Sequence, residues 1–291
     1  MKLGSLLQSV SLATSKANFT EPKVIAITSP YGSTGKTTVA INLAAELAAS
    51  KYRVLIIDAD IQGPSCANYL SLSELPAGFP GALRIASQNR FDKSQLERLS
   101  VELSKPKVTL LAGSIGSQAI EITSSSIDQI VEIAKENFDF TIVDLSSFPH
   151  NISDNTSSEN LKTLVSSVLS HASELVVVAL ADPVGIFRFL QAEQSILSVF
   201  SDPKLVINRL RNSVIPNAKH EIQQTLQRLA STEISGFLPD DPTHIDQATK
   251  EGTAASLLAR PGGFRQAMHS FTNTVILNRP GQLDGRIAKL G

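Results

Sequence analysis

Short apolar runs and longer amphipathic segments alternate along most of this chain. The short runs, rich in valine, isoleucine and leucine, predict seven strands, at 24–28, 54–57, 108–111, 140–143, 175–179, 205–207 and 234–238. Apolar residues that recur every three or four positions predict helices at about 36–50, 124–137, 159–172, 184–200, 216–230 and 264–277. Several strand runs are apolar throughout, which is typical of parallel strands buried on both faces. The pattern therefore predicts an α/β fold, a doubly wound and mostly parallel sheet with helices on both faces.

The alternating pattern divides the chain into one domain and two short ends. The domain is predicted to span 22–278, with an N-terminal segment at 1–21 and a tail at 279–291. The N-terminal segment favours a short helix or a frayed end over a membrane anchor, and its apolar residues at helical spacing are Leu3, Leu6, Leu7 and Val10. Apolar residues in the tail could form a membrane-contacting helix, but its proline and glycines oppose a stable one.

Composition and charge narrow the class of protein. The 291 residues carry a net charge of −1, with 42% hydrophobic and 18% charged residues, as in ordinary soluble globular proteins. With this net charge the protein as a whole is not a basic nucleic-acid-binding protein, although a local basic patch on its surface is still possible. The single cysteine, Cys66, excludes an internal disulfide and argues against a cysteine-based metal site. The most apolar stretch is broken by Asp182 and Pro183, so we expect no transmembrane helix. The single cysteine favours a reducing compartment, and so a cytoplasmic location.

One loop has the sequence of a phosphate-binding loop. The segment SPYGSTGKTT, 29–38, follows the first predicted strand and opens the first predicted helix. In this context backbone N–H groups point at phosphates, and the helix presents the positive end of its dipole to the same anion. Lys36 would reach the β- and γ-phosphates, Thr37 would offer its hydroxyl to Mg²⁺, and Thr38 would face the α-phosphate. The predicted nucleotide-binding residues of this loop are Gly32, Ser33, Thr34, Gly35, Lys36, Thr37 and Thr38.

Three aspartates lie at the ends of two other predicted strands. Asp58 and Asp60 end the strand in RVLIIDADIQGPS, and Asp144 ends the strand in FDFTIVDLSSF. Because parallel strands place their carboxyl ends at one edge of the sheet, we expect these carboxylates beside the phosphate loop. Carboxylates there can hold a magnesium-bound water and orient an attacking water, and phosphoryl transfer depends on such positioning.

These motifs resemble those of the ParA/MinD family of P-loop ATPases. The loop resembles the family's deviant Walker A motif, K-G-G-x-G-K-T, with Gly32 and Gly35 in matching positions. Tyr31 stands where the family has its signature lysine, which reaches the phosphates of a partner subunit, and Ser33 stands where it has a glycine. The resemblance covers about residues 22–277 and is closest to the CpaE/septum-site-determining branch found in actinobacteria.

The resemblance implies a role for each site residue. Asp60 would position the attacking water, while Asp58 and Asp144 would belong to the magnesium shell. The implied catalytic residues are Lys36, Asp58 and Asp60, and the implied magnesium-binding residues are Thr37, Asp58 and Asp144. The implied adenine-contacting residues are Asn208, Pro239 and Asp240. With ATP and Mg²⁺ as cofactors, the protein would be a slow ATPase that acts in chromosome partitioning, septum placement or pilus assembly.

The same resemblance implies partners. Members of the family cycle between a monomer and an ATP-dependent homodimer, and they act with a protein partner of a positioning, pilus or septum system. DNA contact would use basic residues close together in sequence, namely Arg209, Arg211, Lys219 and Arg228. Membrane contact, if present, would be peripheral and would use the tail.

Two other functions stay open on the sequence. Tyr31 and Ser33 differ from the family's motif, which is consistent with a scaffold protein that does not hydrolyse ATP. Such a protein would bind nucleotide without hydrolysis, or would keep the fold without binding nucleotide. The second is a bacterial tyrosine kinase, a class whose phosphate loop and aspartate-bearing strand end are similar to those of this chain. Such kinases carry a C-terminal tyrosine cluster, however, and the three tyrosines of this chain are Tyr31, Tyr52 and Tyr69.

Overall fold

A mostly parallel sheet runs through the middle of the protein, in a computed structural model that describes residues 21–104, 107–114, 120–148, 159–260 and 262–279. Within these ranges its eight strands are β1 (Lys23–Thr28), β2 (Val54–Ala59), β3 (Val101–Ser104), β4 (Lys107–Leu111), β5 (Phe140–Leu145), β6 (Glu174–Leu180), β7 (Lys204–Leu210) and β8 (Ile234–Pro239). Their order across the sheet is β3-β4-β2-β5-β1-β6-β7-β8. Neighbouring strands pair in parallel, except that β3 is antiparallel to β4. The predicted fold class is confirmed.

Helices cover both faces of the sheet. In the described part of the chain they are α1 (Lys36–Ala49), α2 (Cys66–Tyr69), α3 (Gly78–Ala86), α4 (Lys93–Leu99), α5 (Ser124–Asn137), α6 (Glu159–His171), α7 (Pro183–Leu197), α8 (Ala218–Leu229), α9 (Pro242–Glu251) and α10 (Gly263–Phe271). A short 3₁₀ turn, Ala255–Leu257, follows α9, and a π-helical turn, Thr272–Ile276, continues α10. The six predicted helices are confirmed as α1, α5, α6, α7, α8 and α10.

The core has two layers because the central strands are apolar on both faces. On one face, helices α3 and α5 to α8 bury side chains that include Phe79, Ile130, Leu164 and Phe189. On the other face, α1 and α10 pack together, and Met268 of α10 is fully buried. This two-sided burial fixes each strand, and so fixes where its carboxyl end lies.

Several elements were not predicted, each for a local reason. Strand β3 is a short edge strand with one buried residue, so it lacks an apolar run. Helix α3 carries Pro80 and Gly81 in its first turns, and both residues obscure a helical pattern. Helix α9 had readable signals, since Asp241 caps it and Pro242 is its first residue.

Some predicted segments lie outside the described residues. These are the N-terminal segment up to residue 20 and the tail from residue 280. Among the helices that the structure does describe, none combines the length and the hydropathy that crossing a bilayer requires.

Candidate functional site

The phosphate loop connects the end of the central strand β1 to the start of α1. Helix α1 begins at Lys36, so the free N–H groups of its first turn face the loop. Ser33 and Gly35 adopt positive φ angles of 66° and 89°. Left-handed residues of this kind gather successive N–H groups into an anion-binding concavity. Ser33 thus takes the conformation that favours glycine, and the loop keeps its shape without a glycine there.

A buried ion pair lies at the floor of the loop. Lys36 Nζ donates a hydrogen bond to Asp60 Oδ2. The other oxygen, Oδ1, accepts from the Ser146 hydroxyl at 2.7 Å and from the backbone N–H groups of Gln62 and Gly63 at 3.1 and 3.0 Å. Burial alone would raise the pKa of Asp60, but the lysine and these donors lower it below its usual value. Burial would lower the pKa of Lys36, but the neighbouring carboxylates raise it, so both groups are ionised.

Asp58 and Asp144 lie side by side on β2 and β5, where they are partners in the strand register. Asp58 Oδ2 accepts from the N–H groups of Ser65 and Cys66, each at 3.0 Å. Asp144 Oδ2 accepts from the Thr37 hydroxyl at 2.7 Å, while Asp144 Oδ1 is buried and has no hydrogen-bond partner in the described part of the chain. Burial raises the pKa of Asp58 to about 6 and that of Asp144 to about 7.

These residues fit a nucleotide with its magnesium ion. Mg²⁺ takes oxygen ligands. The Thr37 hydroxyl and the Asp144 carboxylate, which are hydrogen-bonded to each other through Oδ2, are such a donor set. A cavity of about 370 Å³ lies over the loop, lined by residues that include Gly32, Lys36 and Asp60. Thr37, with Asp58 and Asp144 beneath it, would hold the ion, and the loop would hold the phosphates.

Asn208 lies against the phosphate loop. Its side chain is buried, and its Nδ2 donates to the carbonyl of Thr34 at 2.8 Å. A β-carbon on Gly35 would come within 2.5 Å of the same Nδ2, so the contact requires glycine there. The structure therefore gives Asn208 a part in fixing the loop, and its predicted contact with adenine stays a prediction.

The other predicted base-contacting residues lie at the end of β8. Pro239 is the last residue of this strand and Asp240 follows it, both half-buried. Asp240 forms an ion pair with Arg211 at 3.0 Å. Nearby, the Lys219 ammonium lies 5.5 Å from the centre of the Phe237 ring. Two residues of the predicted basic patch are thus engaged within the protein.

We expect Asn208→Ala to weaken the binding of ATP and of inorganic tripolyphosphate by a similar factor, about tenfold. The reason is that the variant leaves the Thr34 carbonyl without its donor and loosens the loop that both ligands share. Calorimetric titration of both ligands checks this. Asn137→Ala is the matched control, since Asn137 also donates its amide to a backbone carbonyl, that of Ile133, at 2.8 Å. A loss confined to ATP would instead assign Asn208 to the base.

Two residues of the site were missed by sequence reasoning. Ser146 follows Asp144 by two positions, and its hydroxyl holds Asp60. Cys66 is fully buried, with Sγ 3.7 Å from Asp144 Oδ2. Burial, with Asp58 and Asp144 beside it, raises the pKa of the Cys66 thiol well above its usual range. The serine could have been found from the DLSSF segment, whereas nothing in the sequence marks the cysteine.

A strand, a phosphate loop and a helix beside carboxylate-bearing strand ends define a nucleotide-binding protein of the P-loop class. The family described as "CobQ/CobB/MinD/ParA nucleotide binding domain" matches residues 25–253. This chain belongs to that family.

Known relatives agree with this assignment. The septum site-determining protein MinD of Synechocystis sp. is 25% identical over 235 residues, which cover 78% of this chain and 80% of that protein. A ParA family ATPase from Chlorobium tepidum TLS is similar in structure with a TM-score of 0.69 and 20% identity, covering 87% of this chain and 98% of that one. MinD from Pyrococcus horikoshii OT3, solved with Mg-ADP, is similar with a TM-score of 0.65 and 18% identity, and the match covers 92% of this chain and 100% of that one. At these identities the two solved structures support the fold alone.

Proposed function

We propose that this protein is a ParA/MinD-like ATPase that binds ATP with Mg²⁺, hydrolyses it slowly and serves spatial organisation in the cell. The observation that carries the proposal is the convergence of the phosphate loop, Lys36 and the carboxylates on one sheet edge. There a buried oxygen of Asp144 has no hydrogen-bond donor among the described residues, which fits a cation site. Chromosome partitioning, septum placement and pilus assembly are the roles that fit.

The proposal gives each residue one task. Bound Mg²⁺ would neutralise charge on the phosphates. Lys36 would bind the β- and γ-phosphates, and Thr37 with Asp144 would hold the ion. Asp60 would orient the attacking water, and its contacts with Ser146 and the following N–H groups fix its position. Asp58 would support the magnesium shell from the neighbouring strand.

The finer assignments are also proposals. The loop would be a deviant Walker A motif, and the chain would belong to the CpaE/septum-site-determining branch. Asn208, Pro239 and Asp240 would contact the adenine. The active form would be an ATP-dependent homodimer with a protein partner of a positioning, pilus or septum system. DNA contact through the basic residues stays a prediction, since Arg211 and Lys219 are exposed although each also makes a contact within the protein.

Two measurements on the same samples test this function. Size-exclusion chromatography with light scattering gives the mass with and without Mg-ATP, and a phosphate-release assay gives the rate of hydrolysis. An ATP-dependent dimer with slow turnover would support a positioning ATPase. An unchanged mass without turnover would favour the non-hydrolysing scaffold. Failure to bind Mg-ATP at millimolar concentration would contradict the proposal.

Tyr31 allows a direct test of the dimer. Its ring lies under the Arg188 guanidinium, whose central carbon is 4.3 Å from the ring centroid. We expect Tyr31→Lys to tighten ATP-induced dimerisation by about tenfold or more, because it adds a charged donor for phosphate at the loop. Sedimentation equilibrium with Mg-ATP measures the change. Tyr31→Met is the control, since it removes the ring without adding charge. An unchanged dimer constant would mean that the lysine contact has been replaced elsewhere or abandoned.

A further inference from the structure

We propose that Cys66, Asp58 and Asp144 form a binding site for a thiophilic divalent cation, with Zn²⁺ as the representative ion. The site lies beneath the phosphate loop, between the carboxyl ends of β2 and β5 and the start of α2. Competition between this ion and Mg-ATP rests on the proposed function, whereas the site itself does not.

The three side chains offer ligand atoms at a suitable spacing. One sulfur and two carboxylate oxygens all lie within 4.8 Å of one another, and all three residues are buried. Zinc bonds of 2.0–2.3 Å in tetrahedral geometry place ligand atoms about 3.3–3.8 Å apart. The Cys66 Sγ to Asp144 Oδ2 distance is 3.7 Å, so small side-chain adjustments close the site.

A second observation points to a cation independently of this spacing. The Asp144 carboxylate is fully buried, and its Oδ2 faces Cys66 Sγ at 3.7 Å. Its other oxygen, Oδ1, has no hydrogen-bond partner among the residues that the structure describes. Lys36 donates to Asp60 rather than to either carboxylate of the cluster. Among the described residues no ion pair reaches Asp58 or Asp144. A buried carboxylate oxygen left unsatisfied is costly, and a bound cation removes that cost.

The thiol decides which cation the cluster prefers. A sulfur ligand suits Zn²⁺, Co²⁺ or Cd²⁺, whereas Mg²⁺ selects an all-oxygen, octahedral shell. A single cysteine cannot form a metal site made of cysteines alone. In this fold, however, the carboxylates of Asp58 and Asp144 lie beside Cys66 and provide the other ligands. Metal binding would replace the S–H proton, which leaves to solvent.

The site has an entry path. Thr37 and Ser65 line the cavity over the phosphate loop, and their hydroxyl oxygens are 3.1 Å apart. Behind them lie Asp144, which accepts from Thr37, and Cys66, the residue after Ser65. Thr37 and Ser65 therefore connect the lining of the cavity to two ligands of the cluster.

Cobalt titration of the full chain under reducing conditions tests the site. Because the chain has one cysteine, a thiolate-to-cobalt charge-transfer band can come only from Cys66. We expect a band that saturates at one Co²⁺ per chain, is displaced by Zn²⁺, and is lost in Cys66→Ser. Cobalt bound to surface histidines gives no such band. Absence of the band in the unsubstituted chain would overturn the proposal.

A measurement without any variant covers the case in which Cys66→Ser does not fold. X-ray absorption at the zinc edge of the zinc-loaded chain should show one sulfur neighbour at about 2.3 Å together with oxygen neighbours. A shell of nitrogen and oxygen alone would overturn the site.

Competition with Mg-ATP separates this inference from the proposed function. The two sites share Asp58 and Asp144, so saturating Mg-ATP should remove the cobalt band. A band that persists while Mg-ATP is bound would overturn the shared site. A chain that gives the band but never binds Mg-ATP would contradict the proposed function and support the metal site. A chain that binds Mg-ATP without giving the band would contradict only the inference.

Discussion

Lys36→Ala is expected to weaken ATP binding by at least about a hundredfold and to abolish ATP-induced dimerisation. Lys36 supplies the buried cation at the phosphate loop, and charge-assisted bonds to phosphate are among the strongest polar contacts in a site. Calorimetric titration with Mg-ATP measures the loss. Lys93→Ala is the control, because Lys93 lies on α4 and is exposed. Unchanged dimerisation and localisation of Lys36→Ala in cells would favour the scaffold function.

The same variant should lose stability, which the binding experiment must take into account. Removing the lysine leaves Asp60 buried without its ion-pair partner, and breaking a buried pair in this way costs about 3 kcal/mol or more. Denaturant unfolding of both variants gives the difference, and binding is then compared under conditions where both are folded. Lys36→Gln keeps a donor for Asp60, so it should recover part of the stability but not the ATP affinity. Equal affinity in Lys36→Gln and the unsubstituted chain would show that the lysine charge does not bind phosphate.

The sequence was enough to predict the sheet and the place of the site. Apolar runs such as the one before Asp144 are long enough to mark buried strands, and buried parallel strands align their carboxyl ends. The sequence pattern therefore places the phosphate loop and the aspartates at one edge of the sheet. Elements with short or mixed patterns, such as β3 and α3, could not be found in this way.

The pairing within the site could not be predicted, because it depends on contacts between residues distant in sequence. Asn208 reaches the Thr34 carbonyl across 174 positions, and Ser146 reaches Asp60 across 86. A strand pattern gives the direction of each strand but not the rotation of a side chain at its end. Cys66 shows the same limit, since its place beside Asp144 depends on the packing of a four-residue helix.

Asp144→Asn is expected to make the nucleotide-free protein more stable at pH 8 and to remove its magnesium-dependent ATP binding. Burial raises the pKa of Asp144 to about 7, so at pH 8 the folded state holds a carboxylate in an environment that opposes the charge. Asparagine is neutral and of similar shape. We expect the free energy of unfolding to rise on the order of 2 kcal/mol at pH 8.

The pH dependence follows from the sign of the shift. Because Asp144 has a raised pKa, the folded state binds a proton that the unfolded state releases between pH 7 and about 4. Stability of the unsubstituted chain should therefore increase as pH falls from 8 through 7, and Asp58, raised to about 6, adds to this trend. The pKa of Asp60 is lowered in the folded protein, so Asp60 affects stability only at pH values below the usual pKa of an aspartate and does not change the trend between pH 8 and pH 5.5.

The advantage of Asp144→Asn should consequently be smaller at pH 5.5 than at pH 8. It should persist at pH 5.5, because there the unfolded chain still releases the proton that the folded protein holds. It should vanish only near pH 4, where Asp144 is protonated in both states. Urea unfolding at pH 5.5 and pH 8 measures both values, with Asp246→Asn, an exposed aspartate on α9, as the control. A variant that is less stable than the unsubstituted chain at pH 8 would contradict the prediction. It would mean that the Asp144 charge is compensated in the folded protein, and the case for a cation beneath the loop would then lose its electrostatic basis. A stabilised variant without magnesium-dependent binding would show that this aspartate is kept for the cation at the expense of stability.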